Sequence, residues 1–345
     1  VNYPLRGAVT FKSTVGTNVA SDALANLSSG GVTGGVVFIV GEDYGEGSSI
    51  MQERTHAFAM KSQIWLIDPR PNVPSIVKAV ERAFELSEAS NTPVFLQMRI
   101  RSCHVHGSFV ARDNLRPSPS LRDAMENPVR DVNRIVLPPV SFQHEHEKVN
   151  ERWPAAVEFI KNNRLNEVFE GSRDKVGIVV QGGLYNTLLR TLERLGLADI
   201  YGETKIPIYV LNVAYPLVDD EVVTFCSEKD AVLLVEEGQP NYIEQNINSI
   251  LRKSDCRTVF VGKDVFPLAG EYTAQVLRTG VVSFLREHDT NFVAPEDPMH
   301  QVAEFVSEID GLVPPRPPGL CTGCPERPVF ASLKMLQKEM GDFHV

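Results

Sequence analysis

The chain has 345 residues, 43% hydrophobic and 23% charged, with a formal net charge of −10 from 34 basic and 44 acidic side chains. This describes an ordinary globular protein of two domains with room for pieces of a third. The negative balance, with no basic stripe to override it, argues against nucleic acid as a partner. No apolar run approaches the roughly 20 residues of a membrane helix, and no signal peptide opens the chain.

Residues 8–11 read as a strand and 18–27 as a helix. The continuous apolar run 35–40 reads as a strand buried on both faces. A Gly- and Ser-rich loop, 41–49, leads to a helix over about 50–61. A strand at 64–67 is stopped by Asp68-Pro69, a helix follows over 75–87, and a strand at 94–98 closes the first region. Residues 106–150 hold Pro117, Pro119, Pro128, Pro138 and Pro139 without a sustained period and read as a long ordered linker, followed by a helix over 153–162. A second alternation begins with a strand at 176–180, the Gln181-Gly182-Gly183 turn and a helix over 185–195. Strands at 208–212, 231–235 and 257–261, with a helix over 242–251, continue it. Strand–helix alternation of this kind predicts parallel, doubly wound α/β sheets. A Pro-rich connector, 312–320, precedes a final helix over 328–340. The chain opens at Val1 without Met, already inside the pattern, and stops just after what reads as the beginning of a new strand, so both ends read as cuts.

The five cysteines are Cys103, Cys226, Cys256, Cys321 and Cys324. An odd number at irregular spacing argues against a secreted disulfide framework and for a reducing, cytoplasmic setting. Cys321-Thr322-Gly323-Cys324 can present two thiolates to one zinc or iron–sulfur centre, act as a redox dithiol, or remain two unliganded thiols. Gly41–Ser49 sits at the carboxyl end of a buried strand, where open α/β sheets bind ligands; a capped helix start after a flexible loop is the plainer reading. Lys12–Asn18 follows a strand in the same way. Glu236-Glu237, ending another strand, suits a structural role. His104, His106, His144 and His146 lack matching carboxylates and read as surface histidines.

In order, these segments resemble the α subunits of indolepyruvate:ferredoxin oxidoreductases. Phe11 to Leu24 resembles a stretch of their pyrimidine-binding domain. Gly34-Gly35, the strand after it and Glu42-Asp43 resemble a Gly-Gly, strand and Asp-Asp-Pro. Ser48-Ser49, Gln52 and Arg54 resemble a helix start. Val235-Glu236-Glu237-Gly238 resembles a segment of the transketolase C-terminal-like domain. Pro317 to Arg327 resembles the Cys-Pro-Gly-Cys-Pro-His-Arg that opens the diphosphate-binding domain, with Glu326 where His is usual.

The resemblance implies a pyrimidine-binding domain over 1–105, incomplete at its N-terminus, and a linker with connecting helix over 106–171. It further implies a transketolase C-terminal-like α/β domain over 172–310, then the start of a diphosphate-binding domain over 311–345. The implied activity is oxidative decarboxylation of an aryl 2-oxoacid to an acyl-CoA, with electrons passed to ferredoxin. The cofactors would be thiamine diphosphate, Mg²⁺ and [4Fe-4S] clusters. The partners would be a 2-oxoacid, coenzyme A, ferredoxin, a γ- or β-type subunit or domain and a second copy of the catalytic unit. Lys12, Gly16, Asn18, Ser49 and Gln52 are the expected cofactor-binding residues, and Cys321 and Cys324 the expected metal ligands. No catalytic residue is assigned, because the activating glutamate and the Mg²⁺ motif are expected outside the chain. Two alternatives stand beside this reading: a cluster-free thiamine enzyme of the transketolase or 2-oxoacid dehydrogenase kind, and a non-catalytic zinc-binding scaffold subunit.

Overall fold

A computed structural model describes residues 3–42, 44, 54–114, 116–296, 299–309, 311–312 and 326–341. The chain divides into two compact units, Val1–Pro295 and Glu296–Val345.

The first unit holds two five-stranded sheets. β1 (Gly7–Lys12) enters a π-helical turn at Ser13–Thr17 and then α1 (Ser21–Gly30). β2 (Val36–Glu42), α2 (Thr55–Ser62), β3 (Trp65–Ile67), α3 (Val73–Ser90) and β4 (Val94–Arg99) follow, ending in the short α4 (Ile100–Cys103). α3 starts where the sequence dictates: the Asn72 side chain caps Ser75 N at 2.9 Å, and Pro74 occupies the first turn.

The segment after α4 contributes α5 (Leu121–Glu126), α6 (Val140–Glu147) and, past a π-helical turn at Lys148–Arg152, α7 (Trp153–Asn162). It is anchored rather than loose. The Arg152 guanidinium, buried, donates to Ser28 O at 2.9 Å and Ser29 O at 3.0 Å, and Arg134 donates to Gly30 O at 3.1 Å. All three are orphan carbonyls at the end of α1. His144 corrects the expectation of a surface histidine: it is buried, with Nε2 2.5 Å from Asn133 O.

β5 (Glu167–Phe169), β6 (Val176–Gln181), α8 (Tyr185–Arg194), β7 (Ile208–Leu211), β8 (Val213–Tyr215), α9 (Asp219–Ser227), β9 (Ala231–Val235), α10 (Tyr242–Lys253), β10 (Val259–Val261) and α11 (Ala274–His288) complete the unit. The strand orders are β1-β2-β4-β3-β8 and β10-β9-β6-β7-β5. Pairing is parallel except at one edge of each sheet, where β8 joins β3 and β5 joins β7 antiparallel.

Alternate residues face opposite layers. Phe38, Val40, Leu66 and Phe95 of the first sheet and Val179, Tyr209, Leu211 and Leu234 of the second enter one shared middle core, with Val222, Ile243 and Ile247 from α9 and α10. Val37, Trp65 and Leu96 pack on the other side against α3 and α7, and Ile178, Val210 and Leu233 pack against α8 and α11. Strands covered on both faces need apolar side chains at every position, which is why the sequence shows runs rather than alternation. The second unit holds two helices among its described residues, α12 (Met299–Ile309) and α13 (Arg327–Met340). No helix among the described residues is long and apolar enough to cross a membrane.

Candidate active site

The carboxyl ends of the two sheets meet in a buried polar cluster. In register, Lys12 stands beside Gly41 and Gly41 beside Met98, while Glu42 stands beside Arg99. Asp68 follows β3, Gln181 ends β6 and Glu236-Glu237 follow β9.

The Arg99 guanidinium donates to Asp68 Oδ2 at 2.7 Å and, through Nη1, to Glu237. Glu237 also accepts from Arg101 Nη2 at 2.7 Å and from Tyr272 N at 2.6 Å, while its own N–H donates to Gln181 Oε1 at 2.9 Å. Arg101 further donates to Glu271 at 2.6 Å. Arg54 donates to Glu236 at 2.9 Å, and Glu236 accepts from Ile243 N and Glu244 N, both at 3.0 Å, at the start of α10. Glu42 accepts from Tyr44 Oη and from Thr55 N at 3.2 Å. Glu236 and Glu237 are each 1% exposed. Carboxylates taken that far out of water persist only when paired, so the structural role expected of them holds.

Room for the cluster comes from glycine. A Cβ on Gly183 would strike the Arg99 side chain and lie 2.6 Å from Asp68 Oδ1. The Gly-Gly turn after β6 is therefore needed for close approach, not for flexibility.

Burial sets the protonation. It raises the carboxyl of Glu42 despite hydrogen bonds from Thr55 and Tyr44 and the charges of Arg99 and Arg54. It pushes His56 well below the usual imidazole range, with the Arg54 charge adding to the effect. It brings Lys263 down to about 8, although Glu236, Glu237 and Glu244 pull the other way. Lys263 Nζ donates to Glu236 O at 2.6 Å and to Tyr272 Oη at 2.7 Å.

Several buried polar atoms around the cluster have no hydrogen-bond partner: Arg54 Nε, Thr55 Oγ1, both ring nitrogens of His56, Gln97 Nε2 and Arg101 Nη1. Such atoms cost stability unless something answers them.

Of the expected cofactor-binding residues, Lys12, Gly16 and Asn18 lie on one stretch at the carboxyl end of β1. Strand alternation sets Lys12 on the face opposite Phe11, and therefore away from the cluster. Asn18 Nδ2 donates to Thr14 O at 2.7 Å, and a Cβ on Gly16 would strike the Phe11 ring. Ser49, Gln52, Cys321 and Cys324 lie outside the described residues. The sequence reading missed Arg99, Arg101 and Asp68. Their signal was present: charged residues placed at or just after the end of a largely apolar strand.

Proteins similar to this chain are known. The indolepyruvate oxidoreductase subunit IorA of Methanothermobacter marburgensis is 27% identical over 337 residues, 96% of this chain and 50% of that protein. The subunit of the same name from Thermococcus kodakarensis is 28% identical over 330 residues, 95% of this chain and 48% of that protein. The expected resemblance holds along nearly the whole chain. No family model matches the sequence. The chain spans about half the length of the IorA subunits it matches. In fold it resembles the 2-oxoglutarate:ferredoxin oxidoreductase of Magnetococcus marinus, with a TM-score of 0.53 and 13% identity over 80% of this chain and 52% of that one. The α/β architecture expected from the sequence is thus also that of a 2-oxoacid oxidoreductase.

Proposed function

We propose that this chain is part of a thiamine-diphosphate-dependent 2-oxoacid:ferredoxin oxidoreductase that converts an aryl 2-oxoacid such as indolepyruvate, with coenzyme A, to an acyl-CoA and CO₂. The two electrons released pass through iron–sulfur clusters to ferredoxin. The observation that carries the reading is the similarity to IorA subunits over 95–96% of the chain. In this reading the first sheet belongs to the pyrimidine-binding domain and the second to a transketolase C-terminal-like domain. The enzyme acts in the cytoplasm as a dimer of catalytic units, with a γ- or β-type partner.

Thiamine diphosphate, when bound, supplies a ring that takes up the electron pair left as CO₂ departs. The described residues fit its organic half at one point, Gln97 Nε2, a buried donor without a partner near the carboxyl edge of the first sheet. On the family resemblance alone, Lys12, Gly16 and Asn18, with Ser49 and Gln52, are assigned to the ring pocket, Lys12 from the face of the sheet opposite the buried cluster. Arg101 Nη1, with its other nitrogens held by Glu237 and Glu271, is fixed in direction and suited to a substrate carboxylate. Among the described residues no group of three His, Cys, Asp or Glu side chains could hold a metal ion. On the family resemblance we assign the Mg²⁺–diphosphate grip to other polypeptide, and Cys321 and Cys324 to a [4Fe-4S] cluster.

The test is ferredoxin reduction by the intact protein with its partner subunit, given coenzyme A and indolepyruvate, pyruvate or 2-oxoglutarate. Reduction is expected fastest with indolepyruvate. No reduction with any 2-oxoacid overturns the proposal, and an active preparation without iron and sulfide points to the cluster-free class. Lys12→Ala and Asn18→Ala are expected to raise the thiamine diphosphate requirement; unchanged kinetics in both removes them from the pocket.

A further inference from the structure

A second site lies on the far side of the Asp68-Pro69-Arg70 turn from the buried cluster. Asp68 turns towards Arg99, whereas Arg70, two residues on, lines a cavity of about 120 Å³. Its walls come from the end of β3, the first turns of α3, the stretch after α7 and the junction of β7 and β8. Four cations reach it, Arg70, Lys78, Arg82 and Arg164, against one carboxylate, Glu167. In a chain of net charge −10 this is a local reversal of sign.

Two of the cations are already engaged. Arg70 holds Glu167 in a two-point pair at 2.6 and 2.7 Å, and Asn212 Nδ2 donates to the same carboxylate at 2.8 Å. Arg82 pairs with Glu85 at 2.5 Å and donates to Asn163 at 3.1 Å. Burial works against the Glu167 charge, yet the hydrogen bonds from Arg70 and Asn212 and the charges of Arg70 and Lys78 hold its carboxyl below the usual range. The carboxylate is thus ionised and fully used. The side chains of Lys78 and Arg164 make no hydrogen bond or ion pair among the described residues. Two unanswered positive charges therefore face one small, partly apolar chamber, with Ser75 from the first turn of α3 also on its wall. The helix start adds its own positive potential.

We infer that this cavity binds a phosphoryl dianion. Lys78 and Arg164, whose side chains make no hydrogen bond among the described residues, bring two positive charges and their donors to match the charge and acceptor oxygens of a phosphoryl group. Size narrows the choice. The cavity, at about 120 Å³, suits a phosphoryl head and is far below the ~300 Å³ of a pocket enclosing a whole nucleotide. Any larger body attached to the phosphate stays outside. Because the ligand would touch Lys78 of α3 and Arg164 after α7 together, it would tie these elements to each other.

The test is calorimetric titration of inorganic phosphate into the intact protein at low ionic strength, repeated with coenzyme A and dephospho-coenzyme A. Saturable phosphate binding is expected. Lys78→Ala and Arg164→Asn should each weaken it about tenfold. Asn is chosen because Arg164 has φ 49°, which Asn tolerates. Neither exposed side chain supports the fold, so melting without phosphate should be unchanged, and Arg190→Ala serves as a distant control. If coenzyme A displaces phosphate and dephospho-coenzyme A does not, the bound group is a ligand's phosphomonoester; if neither does, it is free phosphate. No saturable binding, or equal binding by the Lys78→Ala/Arg164→Asn double variant, overturns the inference. Ferredoxin reduction is not the readout, so the result stands apart from the function proposed above.

Discussion

Replacing Glu237 by Ala removes the acceptor that joins the two sheets at their carboxyl ends. The carboxylate is 1% exposed and answers Arg99, Arg101 and the Tyr272 N–H. Deleting one partner of a buried pair costs about 3–5 kcal/mol, because the charge left behind is neither hydrated nor paired. Here Arg99 keeps Asp68, and Arg101, with its side chain 24% exposed, can be rehydrated. The low end, about 3 kcal/mol, is therefore expected. Glu237→Gln should lose less, since an amide oxygen can still accept from Tyr272 N. Glu193→Ala, breaking the largely exposed pair with Arg190, should cost no more than about 1 kcal/mol. Urea unfolding followed by tryptophan fluorescence suits the comparison, because Trp65 and Trp153 pack edge to face at 5.6 Å in the layer behind the first sheet. If Glu237→Ala unfolds at the same urea concentration as Glu193→Ala, the cluster does not hold the sheets together.

Further outcomes follow from the same geometry. Gly183→Ala should destabilise by about 1–3 kcal/mol through its collision with Arg99 and Asp68, and a melting midpoint equal to that of the parent would refute the packing argument. His56 in the folded state titrates well below 6.5, so the unfolded chain takes up the proton first and stability falls as pH drops below about 6.5. His56→Phe should shed part of that acid loss in melts between pH 7 and 5, and identical slopes would count against it. Lys263 titrates at about 8 when folded and near 10.5 when unfolded, so only the unfolded chain holds the proton between them and stability rises with pH across that window. Lys263→Met should remove this rise, read from urea midpoints at pH 8 and 10. In the proposed reaction Arg101→Lys should raise KM for the 2-oxoacid at least about tenfold by losing the forked donor; an unchanged KM would free Arg101 from that role.

Much of the architecture is determined by the chain in isolation. The largely apolar runs within 36–42, 94–99, 176–181 and 231–235 read as strands buried on both faces. The helix of α3 is marked by its Asn72 cap and following proline, and the order of motifs points to a 2-oxoacid oxidoreductase. Hydrophobic period and capping are local properties, so one sequence carries them. What folding decides is where distant pieces meet. The three-residue β8 joins the first sheet rather than the second because its partner is β3, about 150 residues earlier, and no local pattern encodes that pairing. Arg54 with Glu236, Arg99 with Asp68 and Glu237, and Lys78 facing Arg164 are each separated by 31 to 182 positions or by a whole helical segment. Each looks like an ordinary surface charge in the sequence. For Arg54, Arg99, Asp68, Glu236 and Glu237, only the packing of two sheets through one core removes their water and makes each need a partner.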